Sequence, residues 1–141
     1  MIIPGIVSAT FRGKTAEDII RLCQEADLKA VEWSENAHVF PGDPEGAAEL
    51  YKKTTEAGLQ IAAYGSYFRL GKNENPKEAF CQSIISAKAL HAPIIRIWAG
   101  TKPSEAVEEE ERIQLAEEAA AVCEIAEEYD IRWRWSGTGI R

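Results

Sequence analysis

Residues 92–100 read A-P-I-I-R-I-W-A-G, a short apolar run rich in β-branched side chains, opened by Pro93 and closed by Gly100. Such a run between turn-forming residues has the pattern of a buried strand. Arg96 and Trp98 stand two apart in it and share one face, because side chains alternate along an extended chain. A guanidinium keeps its charge and five donors when buried, so it requires a carboxylate or an anionic ligand beside it. Arg96 is therefore the first candidate for function.

Outward from this strand the chain repeats one theme. Residues 2–10 have strand composition, and 15–26 show helical spacing through Ile19, Ile20, Leu22 and Cys23. Thr15 is the expected N-cap, with Asp18 replacing the usual Glu of a capping box. A second strand is expected at 28–33. A second helix follows at 44–57, capped by Asp43, with Pro44 in its first turn and Gly58 at its end. A third strand at 59–64 and a third helix at 76–90, with Phe80, Ile84 and Ala87 on one side, lead into the central stretch. Beyond it, a long helix capped by Ser104 runs to Tyr129, and residues 131–135 read as one more strand. His91 stands where glycine commonly ends a helix, and is expected to interact with the helix dipole. The acidic run Glu108–Glu111 reads as a solvated helix face.

The strand anchors Ile3, Val31, Ile61, Ile94 and Ile131 are 28, 30, 33 and 37 residues apart. A strand-helix unit recurring at that interval suits a parallel sheet with right-handed crossovers, as an open doubly wound sheet or a (β/α)₈ barrel. No G-x-G-x-x-G follows the first strand and no G-x-x-x-x-G-K-[ST] occurs, so the nucleotide-binding open sheets lose support. In barrels the site lies where strands end and βα loops begin. Residues of chemical interest gather there: Ser8, Thr10 and Phe11, then Glu32, Trp33 and His38, then Tyr64, Ser66, Tyr67 and Arg69, and last Arg96, Trp98 and Lys102.

Composition narrows the partners. The 141 residues are 45% hydrophobic and 28% charged with net charge −7, an ordinary globular balance. With 23 acids against 16 bases, nucleic acid is not the expected partner. The N-terminus has neither a basic n-region nor an apolar segment of spanning length, so no signal peptide or membrane helix is expected and the expected location is cytoplasmic. Cys23, Cys81 and Cys123 are odd in number and lie within helical patterns, which suits reduced core thiols.

The runs V-E-W at 31–33, Y-G-S-Y-F-R-L-G at 64–71 and A-P-I-I-R-I-W-A-G at 92–100, in this order and spacing, resemble the sugar phosphate isomerase/epimerase group of xylose-isomerase-like TIM barrels. The resemblance covers about residues 1–130. It implies a partial TIM barrel of about four and a half β/α units, since complete barrels have roughly 250 residues. It further implies isomerisation or epimerisation of a small sugar or sugar phosphate through an enediolate stabilised by a divalent metal. In the family that metal is held by carboxylates and a histidine of strands five to eight, the first a Glu late in strand five. Here Trp135 or Ser136 falls at that point. No metal ligand is thus expected in this chain, and no cofactor for it alone. Apurinic endonucleases of this superfamily use histidines after strands three and four, where this chain has Ser66, Tyr67 and Trp98; that speaks against DNA repair.

Glu32, Trp33, His38, Tyr67, Arg69, Arg96 and Trp98 are the candidate substrate-binding residues; the catalytic residues are not assigned. Arg96 either binds a substrate anion or pairs with Glu32 on the neighbouring strand. Trp33 and Trp98 either stack on a sugar or fill core. His38 lies in the loop after strand two, and Tyr67 and Arg69 in the loop after strand three.

Residues 131–141 form an atypical tail, I-R-W-R-W-S-G-T-G-I-R, as a truncated or frameshifted coding sequence would leave. The expected reading is a truncated isomerase-like half barrel, inactive as an isolated chain. The alternative is a non-catalytic half-barrel module that self-associates through exposed strand edges and retains at most residual sugar binding.

Overall fold

The computed structural model describes residues 1–136, so Gly137 to Arg141 of the atypical tail lie outside the described residues. Five strands alternate with four helices: β1 (Gly5–Val7), α1 (Ala16–Glu25), β2 (Ala30–Ser34), α2 (Pro44–Glu56), β3 (Gln60–Arg69), α3 (Pro76–Ala89), β4 (Ile94–Trp98), α4 (Glu109–Glu128) and β5 (Arg132–Ser136). All neighbouring strands are parallel, in the order β1-β2-β3-β4-β5. A doubly wound sheet reverses its strand order at a switch point. This one never reverses, and that is the order of a barrel.

Each helix packs on the next, α1 on α2, α2 on α3 and α3 on α4. Strand residues of one parity, Val31, Trp33, Tyr64, Ile95 and Ile97, are fully buried in one apolar cluster with Ile19, Phe80, Ile84 and Val122 of the helices. The other parity, which includes Val7, Glu32 and Arg96, faces away from the helices.

The four helices end alike. Asp27, Gly58, His91 and Asp130 have φ of 54, 80, 55 and 55°. The next residue donates its N–H back into the helix, Leu28 to Cys23, Leu59 to Thr54, Ala92 to Ala87 and Ile131 to Ala126, at 2.8–3.1 Å. This is the Schellman closure, in which the left-handed residue turns the chain and the following apolar residue enters the core. Only Gly58 adopts that φ without steric penalty. His91 does so with its ring stacked on Tyr51 at 4.2 Å, a contact additional to any interaction with the helix dipole.

Helix starts agree with the capping chemistry. Thr15 and Asp18 form a reciprocal capping box, and the Asp43 side chain accepts from the Gly46 N–H at 2.9 Å. Other boundaries differ from expectation. The first strand is only three residues long and runs into a 3-10 turn at Ser8–Phe11, leaving Ile3 outside it and half-exposed. The last helix begins at Glu109, because Val107 and Glu108 are extended (ψ 117 and 156°) and interrupt a 3-10 turn at Ser104–Ala106. Ser104 is thus not its cap. Glu109, Glu110 and Glu111 occupy the first turn, where the helix dipole favours acids. Strand β3 extends to Arg69, so Tyr67 and Arg69 stand on a strand rather than in a loop. Cys23 is buried, Cys81 and Cys123 are half-buried, and all three are free thiols. No helix among the described residues is long and apolar enough to cross a membrane.

Candidate functional site

The candidate site is assembled by register. Val7 pairs with Glu32 and Glu32 with Ala63, while Gly65 pairs with Arg96 and Arg96 with Arg134. Paired residues of parallel strands project to the same face, which brings Glu32 and Arg96 together away from the helices. Arg96 Nε donates to Glu32 Oε1 at 2.8 Å, with the two side chains 21% and 17% exposed. Gly65 permits that approach: a Cβ there would lie 2.6 Å from Glu32 Oε1 and 2.8 Å from Arg96 Nη2.

Trp98 continues the same face. Its indole N–H donates to Ser66 O at 3.2 Å, and Ser66 Oγ donates to Arg96 O at 2.6 Å. These two bonds bridge β3 and β4 where the regular pairing slips between Gly65 and Arg69. The guanidinium carbons of Arg69 and Arg96 lie 4.6 and 5.4 Å from the Trp98 ring centroid. Both distances suit cation–π contact. Arg69 also donates through Nη1 to Gly100 O at 2.6 Å. Glu32, Arg69, Arg96 and Trp98 are thus brought together, and the pairing of Arg96 with Glu32 is the arrangement adopted.

The other three candidates make different contacts. Trp33 is fully buried on the helix side, its indole N–H donating to Thr54 Oγ1 at 3.1 Å. It has no surface to offer a sugar, and of its two readings the core one describes its position. Tyr67 is half-buried under the Arg12 guanidinium, 5.1 Å from the ring centroid. His38 has both ring nitrogens engaged, Nε2 2.9 Å from Lys14 O and Nδ1 3.0 Å from Ser8 Oγ. A carbonyl only accepts, so Nε2 carries the hydrogen, and the ring fastens the loop after β1 to the loop after β2.

One acid escaped the sequence reading. Glu35 is 5% exposed and accepts from Tyr64 Oη at 3.0 Å and Ser83 Oγ at 2.8 Å. Burial pushes its carboxyl above the usual carboxylate range, against the pull of the Ser83 and Tyr64 hydrogen bonds. Burial, with the Glu35 charge added, likewise drives the Tyr64 hydroxyl upward. The signal was available in the alternation of 31, 33 and 35, which puts Glu35 on the apolar side, where an acid needs donors.

The divalent metal implied by the resemblance is not matched by the described residues. No three His, Cys, Asp or Glu side chains among them are placed to share an ion. Glu32 is engaged by Arg96, and the end of β5 presents Trp135 and Ser136, the latter in register with Trp98.

A sequentially ordered parallel sheet, helices on one face and polar side chains at its C-terminal strand ends define a protein of the β/α-barrel class. Residues 20–133 match the family described as Xylose isomerase-like TIM barrel, and the chain belongs to that family. Among solved structures it is similar to the probable 3-DHS dehydratase AsbF of Bacillus anthracis, involved in petrobactin synthesis. The TM-score is 0.77 at 16% identity, over 95% of this chain and 52% of that one. It is also similar to a xylose isomerase domain protein of Planctomyces limnophilus (TM-score 0.69, 12% identity, 94% and 53% covered). A third is an L-ribulose 3-epimerase (0.68, 16%, 96% and 49%). At such identities the likeness is one of fold, a partial barrel. The chain spans about half the length of the solved structures it matches. No curated protein matches it.

Proposed function

We propose that this chain supplies the ligand-cradling half of a sugar isomerase/epimerase-like barrel, with a small sugar seated against Trp98 and its hydroxyls bonded to the Glu32–Arg96 pair. The observation that carries the reading is that pair, a carboxylate and a guanidinium 2.8 Å apart on the face away from the helices, beside an indole with a cation over it. Together they offer acceptors, donors and a flat apolar surface, which a polyhydroxylated ring or chain requires. The reaction in view moves a proton at the carbon beside a sugar carbonyl, through an enediolate. In it these residues bind and orient: Arg96 donates to oxygens that gain negative charge, and Glu32 accepts from neighbouring hydroxyls. The competing reading, a non-catalytic self-associating module, has no observation of its own in its favour.

Tryptophan-fluorescence titration with a panel of ketoses tests this. Saturable binding is expected, weakened about 10- to 100-fold by Arg96→Gln, since hydrogen bonds to charged groups contribute roughly 1.5–3 kcal/mol. Absence of saturable binding by the folded wild-type chain to any ketose would overturn it.

A further inference from the structure

A cavity of about 740 Å³ opens at the C-terminal ends of β3, β4 and β5, lined by the connection from β4 to α4 and the start of α4. That volume falls in the range of small-molecule sites. Although the chain carries net charge −7, Arg69, Lys102 and Arg112 all line this one cavity, with Trp98 and Trp135. Lys102 is neutralised by Glu111 at 2.6 Å, and Glu105 is the acid on the wall. The two arginines are different. Arg69 donates to Gly100 O and Arg112 to Ser104 O, and neither meets a carboxylate among the described residues. A backbone carbonyl fixes the plane of each guanidinium while taking one of its five donors. Stacking on Trp98 holds Arg69 further.

From this we infer that the cavity is an anion subsite, in which Arg69 and Arg112 hold a carboxylate or phosphate of the ligand whose remaining oxygens reach the Glu32–Arg96 pair across Trp98. The inference rests on the sugar-binding reading for the rest of the ligand, but not for the anion. It narrows the ligand to an acidic or phosphorylated sugar derivative. It also adds Arg112, four residues into α4, to the residues that select the ligand.

The test follows indole N–H signals by NMR, assigned by single Trp→Phe replacements, during titration with inorganic phosphate at low ionic strength. Saturable shifts of the Trp98 and Trp135 signals are expected, with the Trp33 signal, buried on the helix side, unmoved. Arg69→Gln and Arg112→Gln should each weaken the apparent affinity about tenfold or more, the loss typical of a charge-assisted hydrogen bond. Either variant suffices should the other fail to fold. A neutral ketopentose, its phosphate and a sugar acid of equal length then separate the two anion sources: the subsite makes one or both anionic forms tighter than the neutral sugar by about the same factor. If phosphate moves neither signal, or if all three ligands bind equally and Arg69→Gln changes none of them, the subsite is overturned while the sugar reading stands. If phosphate binds and no sugar does, the subsite stands and the sugar reading falls.

Discussion

Gly65 lies under the Glu32–Arg96 pair, and any side chain in its place would have to displace the ends of one or both partners. A methyl there would sit 2.6 Å from the carboxylate oxygen and 2.8 Å from Nη2, well inside contact distance. Gly65→Ala should therefore separate the pair and lower stability by about 1–3 kcal/mol, the usual penalty for overpacking, as read by urea denaturation. An unchanged midpoint would show that both side chains swing aside freely. Glu35 makes a different prediction, because its folded-state carboxyl is raised by burial from an ordinary value of 4.5. Where folded protein holds the proton and unfolded chain does not, stability falls as pH rises. The burden of ionised Glu35 is thus absent below about pH 4.5 and is reached in full above the raised folded value. Glu35→Gln should be least favourable relative to wild type at low pH, and gain on it as pH rises toward neutrality. Denaturation curves of both proteins from acid to neutral pH check this, and a difference independent of pH would contradict it.

The elements owe their ends to chemistry that substitution can probe. Asp130 closes α4 with φ of 55° and places an acid at the negative end of the helix dipole. Left-handed backbone costs a non-glycine residue roughly 1–2 kcal/mol, partly offset by the greater unfolded-state freedom of glycine. Asp130→Gly should therefore raise the melting midpoint, with a gain of about 0.5–1 kcal/mol. Trp33 ties β2 to α2 through Thr54. Trp33→Phe removes that bond and some core volume, so a loss of about 1–3 kcal/mol is expected, with sugar affinity unchanged. A selective loss of affinity in a variant of unaltered stability would return Trp33 to the site.

Across the whole molecule, the burial is uneven. β2, β3 and β4 are flanked on both sides by strands, with α2 and α3 both packed on β3, whereas β1 is paired to β2 alone and β5 to β4 alone among the described residues. Local opening follows buried contacts and paired backbone. Hydrogen exchange should be slowest in β2 to β4 and fastest in β1 and β5. Strongest protection in β5 would argue for a core arranged differently from this one. The same unevenness concerns the site, since Arg96 and Trp98 stand on the protected β4 and Arg112 on a helix beside the sheet edge.

What the sequence determined by itself was the kind of elements and the chemistry at their ends. Alternating apolar runs, Thr15, Asp43 and the 28- to 37-residue recurrence are local or periodic signals, so they are legible without coordinates. Sequence position also exposed Arg96 as a charge needing a partner, and Glu32 as one of its two possible answers. Tertiary structure decided the rest, because register, side and distance depend on how distant segments meet. Strand order separated barrel from doubly wound sheet. A bulge beside Glu32 and the slip after Gly65 aligned Glu32 with Arg96 and Arg69 with Trp98. The parity of β2 sent Trp33 and Glu35 into the helix-side core and left Glu32 on the face away from the helices. Arg112, sixteen residues beyond Arg96 in the chain, joined Arg69 only because Val107 and Glu108 delay the helix and lay the connection over the strand ends.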